Sequence, residues 1–190
     1  RGVRSLEGGE SALTPQGLLT RRTTTGNWGA IEATAHFRLH GDFDLEASFE
    51  NAEFTGNNNT EVSLKVFFAG QPRIDCRTVR KRGGSGIHEA VAGVAYQQPD
   101  GKWVYPAQGA HSEESASGRL RLARRGKKCF FLYAQGDSAV FKLFASDDLT
   151  AADTLLDGLQ LQASSSGVGM TSVVWKSLTI RAERLTWSPE

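Results

Sequence analysis

Between Ser117 and Tyr133 the chain reads S-G-R-L-R-L-A-R-R-G-K-K-C-F-F-L-Y. Leu120 and Leu122 alternate with Arg119 and Arg121, a charged turn Arg124-Arg125-Gly126-Lys127 follows, and an apolar run returns from Phe130 to Tyr133. Alternation of period 2 sends successive side chains to opposite faces of a strand, so this pattern on both sides of a glycine-containing turn predicts a β-hairpin. A lone hairpin cannot bury its apolar face, so the chain needs further strands of the same kind. It has them. Phe43, Leu45, Ala47 and Phe49 share one face of a strand whose other face carries Asp42, Asp44, Glu46, Ser48 and Glu50. Val62, Leu64, Val66 and Phe68 form the inward face of the next. Gly56-Asn57-Asn58-Asn59, Gly70-Gln71-Pro72, the loop Arg82–Gly86 and Pro99-Asp100-Gly101-Lys102 punctuate the strands. No segment carries helical periodicity beyond one or two turns. The pattern predicts an all-β sandwich with one wet face per sheet.

A chain of 190 residues fits one such domain and can bury a core without a metal or disulfide framework. We expect an N-terminal arm over 1–13, the sandwich over 14–185 and a tail over 186–190. Within the sandwich, Gly17–Arg22 reads as a short strand and Thr23–Gly29 as a loop. The chain opens at Arg1, which fits a processed or excised piece of a larger protein. No apolar run approaches the ~18–20 residues of a membrane helix. Two cysteines, Cys76 and Cys129, form no disulfide framework; export would permit them to pair, and in the cytosol two buried thiols are expected.

The net charge is +1, but it is unevenly spread. Residues 73–128 hold 12 Lys/Arg against 5 Asp/Glu, and the remainder 10 against 16. The basic stretch could meet anionic partners or simply be solvated hairpin tips. Nucleic acid is not expected as a partner, since no reader motif is present and the pI of ≈ 8.0 is below the ~9 typical of such domains.

Several landmarks occur together: Gly17-Leu18, Phe37–Leu45 with its Gly-Asp-Phe-Asp-Leu strand, Gly118–Leu122 with Arg125-Gly126, Ala134–Ser138, and Trp175–Glu183. With them the chain, from about Thr14 to Glu183, resembles bacterial domains of unknown function within the concanavalin A-like lectin/glucanase (laminin G-like) superfamily. The resemblance implies a jelly roll of two curved antiparallel sheets. It also implies glycan binding on a concave face or at loop edges, polysaccharide hydrolysis, or an accessory role in a larger exported protein.

Three groups of residues could carry chemistry. Alternate carboxylates Asp42, Asp44 and Glu46 on one strand face stand ~6.5–7 Å apart, a separation compatible with glycoside hydrolysis. The superfamily's hydrolases carry Glu-x-Asp-x-x-Glu or Glu-x-Asp-x-Glu on a strand; here the first position is Asp42, one methylene shorter. Tyr96, Trp103 and Tyr105 flank the Pro99–Gly101 turn and could stack on sugar rings, with Arg77 and Arg80 nearby. Core packing is the other use for such aromatics, and Trp175 reads as core. Asp147, Asp148 and Asp153 are calcium candidates without EF-hand spacing. No histidine has metal-ligand spacing, and no serine-hydrolase, phosphate-loop or dinucleotide motif is present.

We therefore expect a non-catalytic recognition or assembly module, extracytoplasmic or at the cell surface, with a glycan as its small partner and no obligatory cofactor. The alternatives are a hydrolase using Asp42, Asp44 and Glu46, and a structural subunit that packs on another protein or on itself through an exposed sheet edge.

Overall fold

The computed structural model describes residues 2–5, 8–56, 58–68, 74–97, 100–104, 108–112, 114–148 and 156–187. They form thirteen strands and no helix: β1 Gly2–Ser5, β2 Gly9–Thr14, β3 Gly17–Ala35, β4 Phe37–Gly56, β5 Thr60–Phe68, β6 Ile74–Arg82, β7 His88–Gln97, β8 Trp103–Val104, β9 Gln108–Ser112, β10 Gly118–Arg125, β11 Lys128–Gln135, β12 Lys142–Asp148 and β13 Leu156–Trp187. Among the described residues no helix is long and apolar enough to cross a membrane.

All pairings are antiparallel, and one continuous sheet runs β12-β11-β10-β4-β13-β5-β6-β7-β8. It folds over on itself because three long strands bend. The C-terminal part of β13, Ser177–Trp187, pairs with Phe37–Ser48 of β4, which carries β10, β11 and β12 beyond it. The N-terminal part, Leu159–Ser165, lies between β5 and the Gly29–Ala35 end of β3. The result is a jelly-roll sandwich whose two layers face each other. The bend of β13 falls at Gly167, where the register shifts and φ is +67°. That positive φ favours glycine, and a Cβ there would have to displace the exposed Asn58 side chain.

Alternation decides what enters the core. Phe43, Leu45, Ala47 and Phe49 of β4, Leu120 and Leu122 of β10, and Phe131 and Tyr133 of β11 come from one layer. Val62, Leu64, Val66, Ile31, Leu159 and Leu161 come from the other. Each large apolar side chain so buried contributes about 1.5–3 kcal/mol. Trp175 is core as expected; its ring meets Phe49 edge-on at 6.2 Å and its Nε1–H donates to Thr20 Oγ1 at 3.1 Å. The layers touch where the small Thr78 donates its hydroxyl to the Arg121 carbonyl at 3.2 Å. Cys129 is a free, buried thiol.

Three local expectations change. Thr23–Gly29 is strand, not loop, because Thr25 and Gly26 find Val168 and Gly167 as partners, far away in sequence. The segment expected as a loose arm contributes β1 and β2, paired to opposite ends of β3; backbone hydrogen bonding needs no apolar periodicity. Thr186 and Trp187, expected in the tail, extend β13 against Arg38 and Phe37.

Candidate functional site

The outward face of the β13–β4–β10–β11–β12 layer carries the predicted carboxylate row. Arg119, Arg121 and Arg125 project on the same side from β10. Arg121 donates from Nε to Asp44 Oδ1 at 2.8 Å and from Nη2 to Asp44 Oδ2, and the Arg125 guanidinium is 3.7 Å from the same carboxylate. Arg119 pairs with Glu46 at 3.1 Å. Asp42 accepts the Gly126 N–H at 2.7 Å and so fastens the hairpin turn. The Phe141 ring lies over the guanidinium carbons of Arg119 and Arg121, with centroid distances of 4.5 and 5.1 Å. The bond to Asp44 raises the Arg121 pKa further, holding it as a cation. The three carboxylates are thus brought together, and each is already engaged by a donor from the β10–β11 hairpin.

The outward face of the opposite layer is different. Its side chains are set by parity: Glu32 next to core Ile31, Gln160 and Gln162 around core Leu161, Ser63, Lys65 and Phe67 between core residues of β5, then Arg77 and Val79 of β6. Cross-strand register aligns Gln160 with Lys65 and Arg77, and Gln162 with Ser63 and Val79. Among the described residues no further strand packs over this face. Its centre is nonetheless closed: Ser63 is 0 % exposed, and Val79, Gln162 and Ser164 are 1 %. Around that floor Glu32, Gln160, Arg77 and Lys81 are partly exposed, so the face is a closed polar floor with a partly exposed rim, termed the trough. Glu32 takes both amides, from Gln162 Nε2 at 2.7 Å and Gln160 Nε2 at 3.1 Å, while Ser63 Oγ donates to Gln162 Oε1 at 3.3 Å. Arg77 pairs with Glu61 at 3.5 Å and Lys81 with Glu89 at 3.6 Å.

Of the sequence-derived ligand-binding set, Arg77 stands on this trough. Arg80 does not share its face. It follows the core parity of Val62 and Ala90 and is 1 % exposed. Its Nη1 donates to the Lys81 carbonyl at 2.8 Å, its Nη2 lies 2.9 Å from His88 Nδ1, and its guanidinium rests over Phe54. Burial first, then the charges of Arg80 and Arg82, lower the His88 pKa, so the ring stays neutral and can accept at Nδ1. At the β7–β8 edge, Tyr96 pairs in register with Val104 and Trp103 with Gln97. Tyr105 lies outside the described residues. Of the calcium candidates, Asp147 and Asp148 lie on β12 opposite Cys129 and Lys128, and Asp153 lies outside the described residues. Among the described residues no three His, Cys, Asp or Glu side chains converge as metal ligands would.

Sequence reasoning missed Glu32, Lys65, Phe67, Gln160 and Gln162. Their polar-side parity was legible strand by strand. That β3, β13 and β5 adjoin was not.

A family model described as "Protein of unknown function (DUF1583) C domain" matches residues 3–190. No curated protein matches the chain in sequence. Among solved structures, a legume lectin-like domain from Entamoeba histolytica superposes with a TM-score of 0.58 at 13% identity, covering 93% of this chain and 88% of that one. An alginate lyase from Klebsiella pneumoniae gives 0.56 at 10% identity over 90% and 84%. A functionally unknown protein from Saccharomyces cerevisiae gives 0.57 at 12% identity over 95% and 100%. At these identities the likeness establishes the jelly-roll fold.

Proposed function

The chain belongs to the family described as protein of unknown function (DUF1583) C domain, and within it we propose that this sandwich is a non-catalytic carbohydrate-recognition module. The observation that carries the reading is the polar trough of β3, β13, β5, β6 and β7. It is a broad sheet face lined by Glu32, Gln160, Lys65, Arg77 and Lys81, with a closed floor and no second layer among the described residues. A structural sandwich has no need to line an outer face with a connected amide–carboxylate network; a hydroxyl-rich ligand does. The lectin-like and lyase folds that share the architecture support carbohydrate as the ligand class. Tyr96 and Trp103 stand on the adjoining strands β7 and β8, and with Tyr105 they remain part of the proposal as aromatic contacts. An extracytoplasmic setting, where such polymers occur, belongs to the same proposal.

The hydrolase alternative draws on Asp42, Asp44 and Glu46. Their engagement by Arg119, Arg121, Arg125 and the Gly126 N–H favours the non-catalytic reading. A structural-subunit reading finds support in the end of β13 beyond Trp175, which among the described residues pairs only with β4 and where Leu178, Leu185 and Trp187 are 36%, 37% and 65% exposed.

The test is a titration of the chain against a panel of soluble polysaccharides, followed by both binding and reducing-end release. Binding without release, weakened in Arg77→Ala and Trp103→Ala, is the expected result. Sugar release abolished by Asp44→Asn would transfer the function to the acidic row. Silence toward every polysaccharide, with self-association at higher concentration, would favour the structural subunit.

A further inference from the structure

Resting on the reading of the trough as a glycan site, we infer that its ligand is a neutral, hydroxyl-rich polysaccharide seated on Phe67 and hydrogen-bonded by Glu32 and Gln160. Charge is the first argument. The described side chains of the trough include three cations, Lys65, Arg77 and Lys81, and three carboxylates, Glu32, Glu61 and Glu89. Arg77 and Lys81 are already matched with Glu61 and Glu89 at 3.5 and 3.6 Å. Glu32 accepts a hydrogen bond from each of its two neighbouring amides. Among these described side chains the charges balance, and a polyanion would lie against the partly exposed Glu32 carboxylate.

Hydrogen-bonding capacity is the second. Gln162 is 1 % exposed, is fixed by Ser63, and holds Glu32 Oε1 at 2.7 Å. The carboxylate is therefore oriented from beneath while half-exposed, and each oxygen keeps a lone pair for a ligand O–H. Gln160, also half-exposed, keeps its amide carbonyl and one N–H. In the floor beside Gln162, the Ser164 hydroxyl is buried without a hydrogen-bond partner.

The aromatic seat is the third. Phe67 projects outward between core Val66 and Phe68 and pairs in register with Gly158. A Cβ at Gly158 would stand 3.9 Å from Phe67 Cδ2. The ring thus stands beside the bare Gly158 backbone and is still partly exposed. It lies at the head of the row Gly158, Gln160, Gln162, Ser164. An apolar ring next to a line of amides and a carboxylate matches a pyranose, which has an apolar face and a hydroxyl rim.

The probes are a soluble neutral β-glucan, a neutral galactomannan and sodium alginate, titrated into the full chain at about 50 and 500 mM NaCl. We expect a neutral polymer to bind with little salt dependence, and Phe67→Ala, Glu32→Gln and Gln160→Ala each to weaken it about tenfold or more. Gln160→Ala, at a half-exposed rim position, keeps the test valid if Phe67→Ala fails to fold. Salt-sensitive binding of alginate alone would overturn the neutral class while leaving carbohydrate recognition standing. Neutral binding indifferent to all three substitutions would overturn the site. No binding of any probe would remove the inference and the reading it rests on together.

Discussion

The two outward faces of the sandwich are both polar, and they spend their polarity differently. On the β4–β10 face, every predicted catalytic carboxylate is taken up by a partner on the next strand or at the hairpin turn: Asp44 by Arg121, Glu46 by Arg119, Asp42 by the Gly126 N–H. On the β3–β13–β5 face, Glu32 is steadied by neutral amides and retains capacity toward solvent. Opposite charges at cross-strand neighbours stabilise a sheet, whereas a carboxylate positioned by amides is built to receive something else. An acidic row is therefore a weak guide to function until its neighbours are known.

The sharpest way to break this comparison is to remove the centre of the ladder. Asp44 is 7 % exposed and holds one guanidinium bidentately. Asp44→Ala should lower the unfolding free energy by about 2–3 kcal/mol, by leaving Arg121 half-buried without its anion. Chemical denaturation would measure it, and polysaccharide affinity should be unchanged. A loss of affinity with stability intact would instead make the ladder the site.

A smaller effect is expected one rung along. Arg119→Ala removes the Glu46 pair and one of the two guanidiniums under Phe141, and should cost about 0.5–1 kcal/mol by the same measurement. A double-mutant cycle with Glu46→Ala would show whether the rung couples to the Asp44 pair.

The smallest effect lies between the faces, at His88. Its pKa is lowered in the folded state from an ordinary 6.5, so the unfolded chain takes up a proton first as pH falls. Stability from this group is present above that value and declines as pH drops through it towards the folded pKa. The unfolding midpoint should slope downward over this acid window, and His88→Gln should flatten the slope. An unchanged slope would show that the Arg80 contact does not disfavour the imidazolium.

Much of the fold could be read directly from residue order. Alternation at Phe43, Leu45, Ala47 and Phe49 places four side chains in the core, and all four are there. The hairpin at Ser117–Tyr133 pairs as its turn predicts, from Gly118 with Gln135 to Arg125 with Lys128. The same parity carries Arg124 and Arg80 to the inward side, where hydrophobicity alone would not have put them. Their long stems bury while the guanidinium finds backbone carbonyls, Gly126 for Arg124 and Lys81 for Arg80.

What residue order alone determined was therefore the local half of the molecule: where the alternating strands such as β4, β5 and β10 run, which side of each is apolar, and where the turn between β10 and β11 falls. Period-2 patterning is a property of neighbours in the chain, so it is legible there. The tertiary structure alone decided which strands adjoin. That choice extended β3 through Thr23–Gly29 against β13, matched the acids of β4 to the arginines of β10, and gathered Glu32, Gln160, Phe67 and Arg77 from four strands onto one face. Strand register is set by contacts between residues more than a hundred positions apart, Glu32 with Gln162 among them. No local pattern encodes such a pairing, because it is the burial of both layers at once that selects it.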